Sequence, residues 1–68
     1  MRPLKRYGDK IYRLRRQNEM SQEELAEKAN IDPKSVIQIE KGNRNTTLKT
    51  LQKIASALGL SVSDLLKD

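Results

Sequence analysis

The stretch from Ser21 to Gly42 constrains this chain more than any other, because it marks the start and stop of two short helices in close succession. Ser21 is placed to cap the first, its hydroxyl accepting from an orphan backbone N–H of the opening turn. Glu24, three residues on, completes a capping box, and Glu23 adds negative charge at the positive helix end. Leu25, Ala26 and Ala29 then form a narrow apolar stripe. Asn30 tolerates the left-handed conformation that ends a helix. Asp32 caps the second helix, and Pro33 fits its first turn, where a missing N–H costs nothing. Val36 and Ile39 are the buried pair of that helix, and Gly42 ends it. The spacing predicts a helix, a tight turn and a second helix.

The flanking residues supply three more helices. Tyr7, Ile11 and Leu14 share one face of a helix running from about Tyr7 to Gln17 or Asn18, leaving Lys10, Arg13 and Arg16 in solvent. Met20 follows as a flexible apolar plug. After a loop from Asn43 to Thr46, Thr47 caps a helix carrying Leu48, Leu51, Ile54, Ala55 and Leu58 on one side, the central core helix. Gly59 stops it and Leu60 packs back. Ser61 and Asp64 open a last helix holding Val62, Leu65 and Leu66. The expectation is an all-α fold, a compact five-helix bundle over residues 7–68, preceded by a basic arm over residues 1–6 that is either a frayed terminus or a contact of its own.

Composition narrows the chemistry. A chain of 68 residues is a single domain near the lower size limit for folding without staples. It contains neither Cys nor His, which removes disulfides, the usual zinc sites and most nucleophile or general-base constellations. No cofactor, metal or enzymatic activity is expected. No apolar run approaches the roughly 18 residues of a membrane span, so a soluble cytoplasmic protein is expected. The net charge of +5 is unevenly spread: residues 1–16 hold seven basic side chains against Asp9 alone. A basic pole suits a polyanion such as nucleic acid, although charge runs are more often solvated faces.

The paired helices, with SQEELA opening the first and Ile39, Glu40 and Gly42 closing the second, resemble the helix-turn-helix of the Cro/repressor-type (xenobiotic-response-element) regulators, the family of the lambdoid phage repressors. The resemblance runs from about Tyr7 to Leu66. It implies a structural ion pair between Arg15 and Glu40 that clamps the first helix onto the end of the third. It also implies that Pro33, Lys34, Ser35 and Gln38 match positions near base edges. Pro33 departs from the polar residue of some relatives and can offer only van der Waals contact. Gln22 matches a phosphate-contacting Gln at a helix N-terminus, and Ser21 can add to it. Asn43 and Arg44 match backbone-gripping positions of the following loop, with Lys41 and Arg15 as plausible additions. The family often has Gly where Glu19 stands; here Asn18 is expected to take the left-handed conformation.

The residue chemistry of the third helix agrees with this. Lys34, Ile37, Gln38 and Lys41 form one strip opposite Val36 and Ile39. Lys can donate to guanine, Gln can bond adenine bidentately, and Ile can touch a thymine methyl. For Ile37, partial burial against the first helix or a dimer partner is the competing reading. One short helix reads only a few base pairs, which implies a homodimer on a palindromic site of double-stranded DNA. Val62, Leu65 and Leu66 are the expected dimer contacts, since so short a helix cannot turn all of them inward. A phage-type repressor, a restriction–modification controller, an antitoxin or the DNA-binding half of a longer regulator all fit. The alternative from another class is a protein–protein interaction module that keeps the fold and binds a partner protein through the last two helices.

Overall fold

The computed structural model describes residues 4–43 and 46–67. Five helices follow one another: α1 Leu4–Gln17, α2 Gln22–Ala29, α3 Pro33–Lys41, α4 Leu48–Ala57 and α5 Val62–Leu66. Helix α1 begins three residues before the point its apolar spacing marks, so residues 4–6, expected in an arm, belong to a helix. Among the described residues no helix is long and apolar enough to cross a membrane.

Each of the four later helices opens on the cap expected of it. The Ser21 hydroxyl accepts from Glu24 N–H at 3.0 Å while the Glu24 carboxylate accepts from Ser21 N–H at 2.8 Å. Ser61 and Asp64 repeat the box at α5. Asp32 accepts from Lys34 N–H at 2.8 Å, and Thr47 from Thr50 N–H at 3.1 Å. The hydrogen bond from the cap backbone, and then that from its hydroxyl, holds the Glu24 and Asp64 carboxylates below their ordinary values. Their contribution to stability is therefore complete above the ordinary carboxylate range and is lost as pH falls through the lowered folded values.

The core is one cluster drawn from every helix: Ile11; Leu25, Ala26 and Ala29; Val36 and Ile39; Leu51, Ile54, Ala55 and Leu58; and Leu65. Met20, Ile31, Leu60 and Val62 pack around it from the connections and from α5. Two expectations are corrected. Leu48 is 60% exposed: it is the first residue of α4, a turn ahead of Leu51 and beyond the reach of the packed helices. Lys10 does not stay in solvent. Its ammonium donates to the carbonyls of Asp64 at 2.7 Å and Lys67 at 2.5 Å, strapping α1 to the C-terminal end of α5, where a cation also suits the helix dipole.

Two backbone positions carry the tightest requirements. Gly8 is buried where α1 crosses α3. A Cβ there would meet the carbonyl oxygens of Ile39 and Glu40, standing 2.6 Å from the latter. Glu19, not Asn18, takes the left-handed conformation, with φ of 56°. The reason is that Asn18 is still bound to α1: its N–H donates to the Leu14 and Arg15 carbonyls, and its side-chain amide to Leu14 O at 2.8 Å. The chain can reverse only one residue later.

Opposite outcomes follow at these sites in urea denaturation. Gly8→Ala should destabilise by about 1–3 kcal/mol, because the gain in helix propensity is outweighed by forcing α1 and α3 apart. Glu19→Gly should stabilise by up to about 1 kcal/mol by relieving left-handed strain.

Candidate nucleic-acid interface

The turn between α2 and α3 is fixed from both sides. Asn30 ends α2 with φ of 56° and ψ of 48°, and Ile31 N–H closes back on Ala26 O at 2.9 Å. Helix α3 then buries Val36, Ile39 and Glu40 against the rest of the molecule. Pro33, Lys34, Gln38 and Lys41 remain exposed, and Ser35 and Ile37 are half-buried. The strip expected on this helix is therefore present, about 10 Å long from Lys34 to Lys41. Ile37 lies between its two expected settings, neither freely exposed nor counted in the core.

Behind the strip lies a buried ion pair. Arg15 Nε donates to Glu40 Oε2 at 2.7 Å and Arg15 Nη2 to Glu40 Oε1 at 3.1 Å, while Nη1 donates to Met20 O at 2.8 Å. Both residues are more than nine-tenths buried. The hydrogen bond to Glu40 raises the Arg15 pKa further above its already high ordinary value, and burial opposes that shift only in part. The Arg15 guanidinium carbon lies over the Tyr12 ring, 5.2 Å from its centroid. Among the described residues no buried side-chain polar atom lacks a partner.

Arg15, an expected phosphate contact, is turned to partners within the protein. Its guanidinium is buried, and each of its three nitrogens already donates to Glu40 or to Met20. The structure also adds a member that spacing alone did not show. Gln22 Nε2 donates to Glu40 Oε1 at 3.1 Å, so the first residue of α2 is tied to the end of α3 and, through Glu40, to α1. Gln22 keeps its side-chain oxygen and a second amide N–H for an outside partner. A polar residue at a helix start says nothing of an acid 18 positions on, so only the fold brings the two together.

The other expected contacts divide. Ser21, Lys41 and Asn43 are exposed at the margins of α2 and α3. Arg44 lies outside the described residues. Of the three expected dimer contacts, Leu65 is 2% exposed and belongs to the protomer's own core, so it is not available to a second copy. The turn that aims Leu65 inward sends Leu66 outward, to 39% exposure, and Val62 is half-buried at the core's edge.

A short helix held with a polar and cationic strip outward, behind a capped helix whose N-terminus opens on the same side, defines a helix-turn-helix of the DNA-binding class. The family model described as Helix-turn-helix matches residues 11–65, and the chain belongs to that family, the Cro/C1 type of DNA-binding transcriptional regulator. Control protein C.MunI of a Mycoplasma species is 38% identical over 64 residues, which is 93% of this chain and 86% of that protein. The immunity repressor of Bacillus phage phi105 is 39% identical over 56 residues, 82% of this chain but only 39% of the repressor. The restriction-modification controller protein C.AhdI from Aeromonas hydrophila superposes with a TM-score of 0.90 at 33% identity, covering 93% of this chain and 96% of that one. The controller C.Esp1396I, solved as a tetramer in complex with its natural 35 base-pair operator, gives a TM-score of 0.83 at 31% identity over 98% of this chain and 99% of its own.

The ion pair generates a direct test. Arg15→Met should cost about 3–5 kcal/mol, since it strands a buried carboxylate. The double variant with Glu40→Leu should be less damaged than the two single losses summed, by about 0.5–3 kcal/mol in a urea-denaturation cycle. Additive losses would mean that the two side chains act independently.

Proposed function

We propose that this chain controls transcription as a homodimer on a two-fold operator, each copy laying α3 in the major groove. The observation that carries the reading is the strip Lys34, Ile37, Gln38 and Lys41, exposed or half-exposed on a helix whose opposite face is locked through Val36, Ile39 and Glu40. On this reading Gln38 and Lys34 bond base edges, Ile37 and Pro33 supply apolar contact, and Ser35 adds a hydroxyl at the margin. Ser21, Gln22, Lys41, Asn43 and Arg44 hold phosphates and fix register. No catalytic step is assigned to the chain, and its site of action is the cytoplasm.

Within the class, the recurrence of control proteins among relatives and solved structures supports a restriction–modification controller. Selection of bound sequences from random duplex tests the whole reading: a two-fold pattern with half-sites about 34 Å apart is expected, and a single asymmetric site would overturn the dimer.

On the selected sequence, Gln38→Ala should weaken binding by about 1–3 kcal/mol and relax preference at one base pair of each half-site. A competition assay against random duplex checks this. Equal loss on both DNAs would assign Gln38 to the backbone instead.

Leu66→Glu tests the dimer. Leu66 is the exposed apolar residue of α5, and a contact this small should form mainly on DNA, where adjacent half-sites raise the effective concentration. The variant should lose cooperative binding to the full operator and keep its half-site affinity in gel-shift titrations. Retained cooperativity would move the interface away from α5.

A further inference from the structure

A second cationic surface lies away from α3. Lys28 near the end of α2 and Lys49 and Lys53 on α4 surround an open groove of about 370 Å³, floored by Ala29 and edged by Gln52 and Ser56. Lys28 and Lys49 are exposed and Lys53 is half-buried. Helix α4 carries no acidic side chain from Leu48 to Ala57, so Lys49 and Lys53, one turn apart, repel each other with no acid on their own helix to offset it. Of the three, only Lys28 has an acid one turn away, Glu24. That carboxylate lines a neighbouring hollow with Glu19 and Glu27 that Lys28 also edges, and Glu24 is engaged by Ser21 as well, so Lys49 and Lys53 are the two of the three with no acid on their own helix.

The position of the groove selects its partner. Helix α2 packs against both α3 and α4 and so stands between the groove and the strip on α3. Lys28 lies about 9 Å further along α2 than Gln22, toward the turn that leads into α3. The size of the groove suits two or three carboxylates on a short segment.

We infer that the Lys28–Lys49–Lys53 groove is a docking surface for an acidic peptide segment of a partner protein, one that binds while α3 is occupied by DNA. Lysines two helices apart would pair with carboxylates, and Gln52 and Ser56 would bond its backbone or side chains. The simultaneity rests on the proposed role of α3; the peptide site itself does not.

The test uses the full ¹⁵N-labelled chain, a ten-residue oligoglutamate peptide and a random-sequence duplex at low salt. The peptide alone should shift the amides of Lys28, Lys49, Gln52, Lys53 and Ser56, and do so again with duplex bound. Lys49→Glu with Lys53→Glu should weaken the peptide at least tenfold and leave the duplex-induced shifts on α3 in place, with an unchanged circular-dichroism spectrum reporting an intact fold. Displacement of the peptide by duplex, or duplex shifts centred on the groove, would make it an extension of the DNA surface and overturn the proposal. Peptide shifts spread over all lysines, or none at the groove, would reduce it to a solvated helix face. If the peptide maps to the groove but duplex leaves α3 unshifted, the acidic-peptide site stands and the reading of α3 fails.

Discussion

The ion pair between Arg15 and Glu40 is the interaction on which the rest of the structure depends. Two charges taken out of water carry a desolvation cost of several kcal/mol each, and only near-ideal geometry returns it. Here the geometry is a two-toothed fork with a third nitrogen satisfied by Met20 O, and the second carboxylate oxygen shared with Gln22. Such a pair adds little net stability compared with a well-packed apolar pair. What it adds is position, because three chain segments meet at one carboxylate, two supplying the opposite charges and the third a neutral amide. The end of α1, the start of α2 and the end of α3 are held in one register.

That register would be of no use if α1 could not approach α3 closely, and Gly8 is the residue that permits it. A glycine inside a helix costs about 0.5–1 kcal/mol relative to alanine. At this crossing any Cβ would press on carbonyl oxygens of α3, beside the backbone of Glu40 itself. The close crossing and the ion pair are thus one device, set about two turns apart on α1. Ile11 lies between them, 1% exposed, and seals the apolar side. In a chain of 68 residues with a small core, the remaining stability must come from local terms, and the side-chain caps on α2 to α5 supply them.

These local terms are also what the sequence displays most clearly. Caps at Ser21, Asp32, Thr47 and Ser61 are chemical signals read within four residues, and all four fall where expected. The left-handed ends at Asn30 and Gly42 are equally local. The Arg15–Glu40 pair came from resemblance, since nothing in their spacing links them. Three of the misplacements share a cause: each needed knowledge of what covers a residue from another helix. Leu48 has helical spacing to Leu51 but nothing above it, Leu65 differs from Leu66 only by which way α5 is rotated, and Lys10 finds carbonyls more than fifty positions away. Glu19 was missed because Asn18 is the better left-handed residue in isolation, yet is already committed to α1.

The sharing of Glu40 Oε1 bears on how such a domain would bind without a large interface. A glutamine on an exposed helix end has several rotamers to lose when it contacts a phosphate, and immobilising a side chain of that kind costs about 0.5–1.5 kcal/mol. Gln22 has already surrendered that freedom in the free protein, since one of its amide protons is bound to a buried carboxylate. Glu40 in turn cannot shift, because Arg15 holds both its oxygens. Under the proposed reading, the cost of orienting the phosphate contact is borne on folding and not on association. Helix α3 benefits in the same way, its outer strip being aimed by the same carboxylate that closes its inner face. The buried pair, unfavourable as a source of stability, then makes sense as preorganisation: it holds the start of α2 and the end of α3 in one fixed relation before any partner arrives.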